Sequence, residues 1–135
     1  MREILFCGKS EEMNRWFFGD LLNWKDGGRE ILVNEDDALE KIKIKVIPET
    51  VGEFTGMNDK NHKKIFEHNI LCFKFEEDGK EIAEYGEVIF HDRGWAIKYS
   101  TGYIDELTEK TVPDFEIVGN IFDNPELLKE GAENA

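Results

Sequence analysis

Residues 41–46 alternate strictly between lysine and isoleucine or valine, within the segment KIKIKVI at 41–47. Because successive side chains of a β-strand point to opposite faces, this alternation predicts a strand with one buried and one solvent-facing side. Lysines on the exposed side also protect an edge strand against pairing with another chain. A strand of this kind needs partner strands and a core, which other segments of the chain must supply.

Other short apolar segments are separated by tight turns at close spacing. Asp26-Gly27-Gly28, EEDGK at 76–80 and HDRG at 91–94 predict three such turns. Strands are predicted at residues 2–6, 15–22, 29–33, 41–47, 69–75, 81–90, 95–99 and 115–121. No segment is long enough for a crossover helix, so the chain is predicted to be mainly β, as a small barrel or a strongly bent sheet.

Four glycines are expected to interrupt the strands or to allow close approach of two backbones. Gly19 predicts a bulge or a close approach of two backbones within its strand, and Gly86 predicts a bulge. Gly52 and Gly56 are expected to break regular structure.

Two proline-containing segments predict short helical turns. Pro48 suits the first position of a single turn, and Asn124 before Pro125 predicts a short C-terminal helix over 124–130.

Composition narrows the class of protein. The chain has 135 residues, 40% of them apolar, which suffices for a core, and a formal net charge of −13. Residues 1–70 have 11 basic and 14 acidic side chains, whereas residues 71–135 have 6 and 16. This charge opposes general binding to nucleic acid or to anionic membranes. The short apolar run at the N-terminus is too short for a signal peptide, so we expect a soluble cytoplasmic protein.

The sequence contains no recognisable catalytic or cofactor motif. Nucleotide-binding glycine loops and the common zinc spacings are absent, and Cys7 and Cys72 do not form a disulfide framework. His68 and Cys72 have metal-ligand spacing only if the segment is helical, and it is predicted as a strand. We therefore predict no enzyme activity, no metal and no cofactor.

Aromatic and basic side chains are the candidates for an interaction surface. On a strand, Trp16 and Phe18 point one way and Phe17 the other. The simpler interpretation of these aromatic side chains is a place in the core. The functional interpretation is a partly exposed patch for self-association. The lysine clusters fit either a solvated surface or a nucleic-acid surface. The candidate interaction residues are Trp16, Phe18, Trp24, Lys41, Lys43, Lys45, Lys60, Lys63 and Lys64.

Several segments together resemble the YopX family of phage and prophage proteins. VIPETVGEFTGMNDKNHKKIFEHNIL, from Val46 to Leu71, is similar to the family's pattern PETVGQYTGLKDKNGKKIYEGDIV. MREILFCGK, WFFGDL, GEVIFHDRGWAI and FEIVGNIFDNPELL extend the resemblance over nearly the whole chain. His62 stands where the family has glycine, and His68-Asn69 stands where it has Gly-Asp.

The resemblance implies an N-terminal β segment over 1–47 and an SH3-like barrel over 48–135. It also implies an accessory protein of a mobile element, with no established activity or ligand. The first hypothesis is a non-enzymatic module that assembles with itself or with a host or phage protein. The alternative is a module that binds nucleic acid or mimics it through its acidic surface.

Overall fold

The computed structural model describes residues 3–33 and 41–129. The chain divides into two compact units, Met1–Phe54 and Thr55–Ala135, which we call unit 1 and unit 2. The strands of the described residues form antiparallel sheets, so the prediction of a mainly β protein is confirmed. The sequence-based boundary at 47/48 stays a prediction.

Unit 1 is an antiparallel sheet in the order β4-β3-β2-β1-β5. Its strands are β1 (Phe6–Ser10), β2 (Arg15–Asn23), β3 (Arg29–Val33), β4 (Ile42–Val46) and β5 (Gly52–Asn58), the last of which ends in unit 2. A 3-10 turn, Pro48–Thr50, precedes β5 as predicted. The first strand begins four residues later than predicted, at Phe6 rather than at residue 2.

The core of unit 1 lies on one side of this sheet. Phe17, Ile31, Ile44, Val46 and Val51 are buried there, and the strand register places Ile31 directly between Leu21 and Ile44. Lys43 and Lys45 point to the other side and are exposed, so the predicted alternation is confirmed from Lys43 to Val46; Ile42, at the start of the strand, is exposed, against the prediction. β4 is the last strand of the order, as expected for a strand protected by lysines.

Unit 2 contains a five-stranded antiparallel sheet in the order β10-β9-β8-β7-β11. Its strands are β7 (Asn69–Glu77), β8 (Lys80–His91), β9 (Gly94–Tyr99), β10 (Ile104–Glu106) and β11 (Phe115–Asn120), and the short β6 (Lys64–Phe66) neighbours β5. Among the described residues, β10 and β11 are not paired, so the sheet is open and an SH3-like barrel is not confirmed.

The helical elements of unit 2 are single 3-10 turns, at Val112–Asp114 and Pro125–Leu128. The second stands where the C-terminal helix was predicted, so that helix is not confirmed in its full length; residue 130 lies outside the described residues. Asn124 precedes the turn, but its side-chain oxygen accepts a hydrogen bond from the Asn120 amide at 3.2 Å instead of capping the turn. No helix in the described part of the chain is long and apolar enough to cross a membrane.

The core of unit 2 lies on one side of the five-stranded sheet. Its buried residues are Met57, Ile65, Leu71, Val88, Ile97, Leu107, Val112 and Phe115. Two hairpins hold the central strands in register. Asp78 and Gly79 both have positive φ, as do Asp92 and Arg93, which is the backbone of the two-residue turns that match strand twist.

Three of the glycine predictions were wrong. Gly52 and Gly56 lie within β5, where Gly56 takes a φ of 87°. The β8 register runs through Gly86 without a shift. A Cβ atom at Gly86 would lie 2.5 Å from the Ile97 side chain, so this glycine leaves room for a neighbour rather than making a bulge. The close approach predicted at Gly19 is confirmed, since its Cβ would lie 2.0 Å from the Leu32 carbonyl oxygen.

Candidate interaction surfaces

The side of the unit 1 sheet opposite the core presents a mixed aromatic and charged surface. Register pairs Asp20 with Leu32 and Leu32 with Lys43, and the next row joins Leu22, Glu30 and Lys45. Paired residues of antiparallel strands share a side of the sheet. We call this surface the outer face; its residues are Trp16, Phe18, Asp20, Leu22, Trp24, Glu30, Leu32, Lys41, Lys43 and Lys45.

Aromatic and leucine side chains run along β2 on the outer face. Phe17 lies in the core, as predicted, but Phe18 is 49% exposed, so the core interpretation was wrong for Phe18. Trp24 follows the end of β2 and is 51% exposed. Its indole N–H donates to Glu30 Oε1 at 2.7 Å, and Lys43 Nζ lies 6.0 Å from its ring centroid. These two contacts place Trp24 on the outer face.

The lysines of the outer face do not form a purely basic strip. Lys41 Nζ donates to Asp20 Oδ2 at 2.6 Å, and Glu30 lies directly opposite Lys45. Both partners of the Lys41–Asp20 pair are about half exposed, so the pair is screened by water and contributes little to stability. Charges of both signs instead lie between and beside the aromatic side chains, so the face mixes apolar and polar groups as protein interfaces do.

The lysines of the second predicted cluster lie in unit 2, on and beside a tight turn. Lys60 and Lys63 belong to the turn itself, Lys64 begins β6, and all three are exposed. Lys60 Nζ lies 3.7 Å from Glu116 Oε1. These positions agree with a solvated surface, and a role for these lysines in binding stays a prediction.

A buried carboxylate organises that turn. Asp59 is 4% exposed, and its Oδ1 accepts hydrogen bonds from the amides of Asn61 and Lys63 at 2.8 and 2.9 Å. Its Oδ2 accepts the amide of Ile117 on β11 at 2.9 Å. One side chain therefore closes the turn and joins it to a strand far away in sequence. The turn is a structural corner, and the spacing of its residues alone did not reveal the role of Asp59.

Both histidines that replace glycine in the family pattern have a left-handed backbone. His62 has a φ of 64° and His68 a φ of 79°, a region that glycine occupies at no steric cost. His62 is exposed. His68 packs edge-on against Phe122, with ring centroids 5.2 Å apart, and its Nδ1 lies 3.8 Å from Glu87 Oε2. Both positions at which the family pattern has glycine therefore have a backbone conformation that favours glycine.

The two cysteines are buried and form no disulfide with each other. Burial raises the pKa of the Cys72 thiol, and a side-chain hydrogen bond with Tyr85 offsets only part of the effect. A thiol with a raised pKa stays protonated at neutral pH and is a poor nucleophile. Within residues 3–33 and 41–129, no group of three His, Cys, Asp or Glu side chains is placed to hold a metal ion.

Unit 2 has a surface that the sequence analysis missed. Two adjoining grooves, of about 400 and about 200 Å³, share Asp105 and Glu106 of β10. Trp95 lines the larger groove, and Phe90, 59% exposed, packs edge-on against Trp95 with ring centroids 5.2 Å apart. These residues come from the β8–β9 hairpin and from β10, and no local sequence pattern predicts that they meet.

The described residues therefore define a mainly β protein of two units, with mixed aromatic and charged surfaces. The chain matches the family model described as "YopX protein" over residues 5–129 and belongs to the YopX family. None of the curated proteins matches it.

Two crystal structures share this fold at low sequence identity. Protein EF1440 from Enterococcus faecalis is 16% identical, with a TM-score of 0.61 over 96% of this chain and 100% of that one. Protein yopX from Bacillus subtilis is also 16% identical, with a TM-score of 0.55 over 96% of this chain and 98% of that one.

Proposed function

We propose that this protein is a non-enzymatic interaction module that associates with a second copy of itself through the outer face of unit 1. The observation that supports this is the half-exposed pair Phe18 and Trp24, which lie on one side of the sheet with charges of both signs beside them. Exposed aromatic side chains with a charged rim are the usual anchors of protein interfaces.

Charge favours a second copy as the partner. The outer face has lysines along β4 and carboxylates at Asp20 and Glu30, so two such faces in opposite orientation can pair lysine with carboxylate. The N-terminal half of the chain, with 11 basic and 14 acidic side chains, also repels its own copy far less than the C-terminal half does.

The size of the outer face sets the expected affinity. About ten residues along β2, at roughly 3.3 Å each, and three strands, each about 4.8 Å wide, give a face of roughly 500 Å². Two such faces bury about 1,000 Å² in total, which lies at the low end for specific interfaces. We therefore expect a weak dimer, with a dissociation constant of about 10 μM to 1 mM.

Sedimentation equilibrium over a range of protein concentrations tests this proposal. We expect mass to rise toward the dimer in the unaltered protein and to stay at the monomer when Phe18 and Trp24 are both replaced by serine. Met13→Ser is the matched control, because Met13 is equally exposed in unit 1 but lies at the tip of the β1–β2 hairpin. A protein that stays monomeric at every concentration would refute the proposal, as would equal weakening by the control.

Nucleic-acid binding is the alternative that the lysines of β4 raise. The carboxylates that share the outer face, one of them bonded to Lys41, weaken that alternative. Salt-dependent binding of DNA or RNA that is lost when Lys43 and Lys45 become alanine would replace the dimer proposal.

The biological setting belongs to the same proposal. The match to the YopX family supports an accessory role in a phage or prophage, in the bacterial cytoplasm. The SH3-like character of unit 2 is supported in the same way by that family, although the described sheet is open.

A further inference from the structure

The two grooves of unit 2 lie along β10, the edge strand of its sheet. Asp105 and Glu106 line both of them. We call the two together the β10 trough. Its other lining residues include Asp92 and Trp95 in the larger groove and Tyr99 and Asp114 in the smaller one. The larger groove, about 400 Å³, has the size of a ligand pocket, for which about 300–1,000 Å³ is usual.

Aromatic rings form part of the trough's surface. Trp95 and Tyr99 are partly buried against the unit 2 core, so each ring keeps some surface in solvent. Tyr103 is strongly exposed and stacks on Tyr99 with ring centroids 6.1 Å apart. Ring faces that remain accessible attract cations, because the π system is negative there.

The charges of the trough have one sign. Asp92, Asp105, Glu106 and Asp114 supply four carboxylates, and neither lysine nor arginine is among the described residues that line it. Burial raises the pKa of Tyr99, and the carboxylates of Glu84 and Asp105 raise it further. The Asp105 carboxylate lines the same groove as Tyr99, so negative charge adjoins this aromatic ring.

We propose that the β10 trough binds a basic segment of a partner protein by receiving an arginine side chain. A guanidinium group can stack on Trp95 or Tyr99 and donate two parallel hydrogen bonds to a carboxylate such as Asp105 or Glu106. Residues 71–135 have 16 acidic and 6 basic side chains, and this negative net charge would steer such a segment toward unit 2. This surface goes beyond the proposed dimer, since the outer face belongs to unit 1 and the trough to unit 2.

To test the trough, the full chain is titrated with a short peptide of alternating arginine and glycine. The readout is the NMR signals of the three tryptophan indole groups. We expect the Trp95 indole signal to move and the affinity to fall at least about tenfold, or about 1.4 kcal/mol, in the double variant Asp105→Asn with Glu106→Gln. Asp105 Oδ1 accepts the backbone amide of Glu106 at 2.9 Å. The carboxamide that replaces the Asp105 carboxylate keeps an oxygen for this bond, so the variant retains its local hydrogen bond.

Matched controls separate a built site from diffuse attraction to an acidic protein. Glu76→Gln with Glu81→Gln removes two exposed carboxylates that pair across β7 and β8 and line neither groove of the trough. We expect this control to bind the arginine peptide as the unaltered protein does. Equal weakening in both double variants would overturn the proposal, as would movement of the Trp16 or Trp24 signals without Trp95.

Two further ligands test the chemistry of the occupant. The same peptide with citrulline in place of arginine should not bind, because citrulline keeps the shape and loses the charge. Spermidine should bind more weakly than the arginine peptide; equal affinity would mean a site for small free cations and would overturn a protein partner. A failure here leaves the concentration-dependent mass of the protein unchanged, so it is distinguishable from failure of the dimer proposal.

Discussion

Removal of the Asp59 carboxylate should open the turn at 59–63 and loosen its attachment to β11. In Asp59→Ala, the amides of Asn61, Lys63 and Ile117 lose their acceptor at once. Each hydrogen bond to a charged acceptor contributes about 1.5–3 kcal/mol, and water replaces part of this at the partly exposed turn. We expect the free energy of unfolding to fall by about 3–5 kcal/mol, at the upper end for a single substitution.

Asp59→Asn separates the two halves of that interaction. An asparagine oxygen at the Oδ1 position can keep the bonds from Asn61 and Lys63, but its NH₂ group then faces the Ile117 N–H as donor against donor. We expect a loss of about 1–3 kcal/mol, concentrated at β11. Hydrogen exchange should therefore accelerate at the Ile117 amide in both variants, and at the Asn61 and Lys63 amides only in Asp59→Ala.

Urea unfolding and amide exchange measured by NMR check this reasoning, with Asp26→Ala as the control. Asp26 Oδ1 also accepts a turn amide, that of Gly28 at 2.8 Å, but the turn is exposed and the bond is single. We expect the control to cost under about 1 kcal/mol. A loss below about 1 kcal/mol in Asp59→Ala, or unchanged exchange at Ile117, would refute the structural role assigned to Asp59.

Three further substitutions, one of them with a matched control, test the backbone at His62 and Gly19 and the burial of Tyr99. In a urea titration, His62→Gly should leave the free energy of unfolding unchanged or raise it by up to about 1–2 kcal/mol, because φ is 64° there. The control His91→Gly, where φ is not positive, should lower the free energy of unfolding by about 0.5–1 kcal/mol. Gly19→Ala should cost about 1–3 kcal/mol by thermal unfolding, because its Cβ would meet the Leu32 carbonyl and β3 must shift; a neutral result contradicts the register. The pKa of Tyr99 is raised in the folded protein, so the unfolded chain loses its phenolic proton first and stability falls as pH rises through the ordinary value of 10.0. Tyr99→Phe should therefore lose less stability than the unaltered protein between about pH 9 and pH 11, and parallel losses in the two proteins would argue against this effect.

Local sequence patterns predicted the hairpins and the sides of the strands because both depend on nearby residues. The alternation identifies Ile44 and Val46 as the buried side chains of β4 without reference to any other strand, and it fails only at Ile42, where the strand begins. The positive φ of Asp78 and Gly79 likewise follows from a two-residue turn between two strands. In each case the controlling physical rule acts within a few residues.

Features that depend on distant neighbours were not predictable in this way. The interruption of the apolar pattern at Gly86 has its cause in Ile97, which fills the space a side chain would need. The role of Asp59 depends on Ile117, and the trough depends on β10 meeting the β8–β9 hairpin. Sequence predicted the aromatic and lysine candidates of unit 1, but only the register of β2, β3 and β4 showed that Phe18 and Lys43 share a side.

NMR of the tryptophan indole groups at increasing protein concentration tests the proposed dimer most directly. Trp16 and Trp24 belong to the outer face, and Trp95, in unit 2, is an internal reference in the same molecule. We predict that the Trp24 signal moves most as concentration rises from about 10 μM to about 1 mM, while the Trp95 signal stays fixed. Three signals that do not change over this range, or a change confined to Trp95, would contradict association through the outer face.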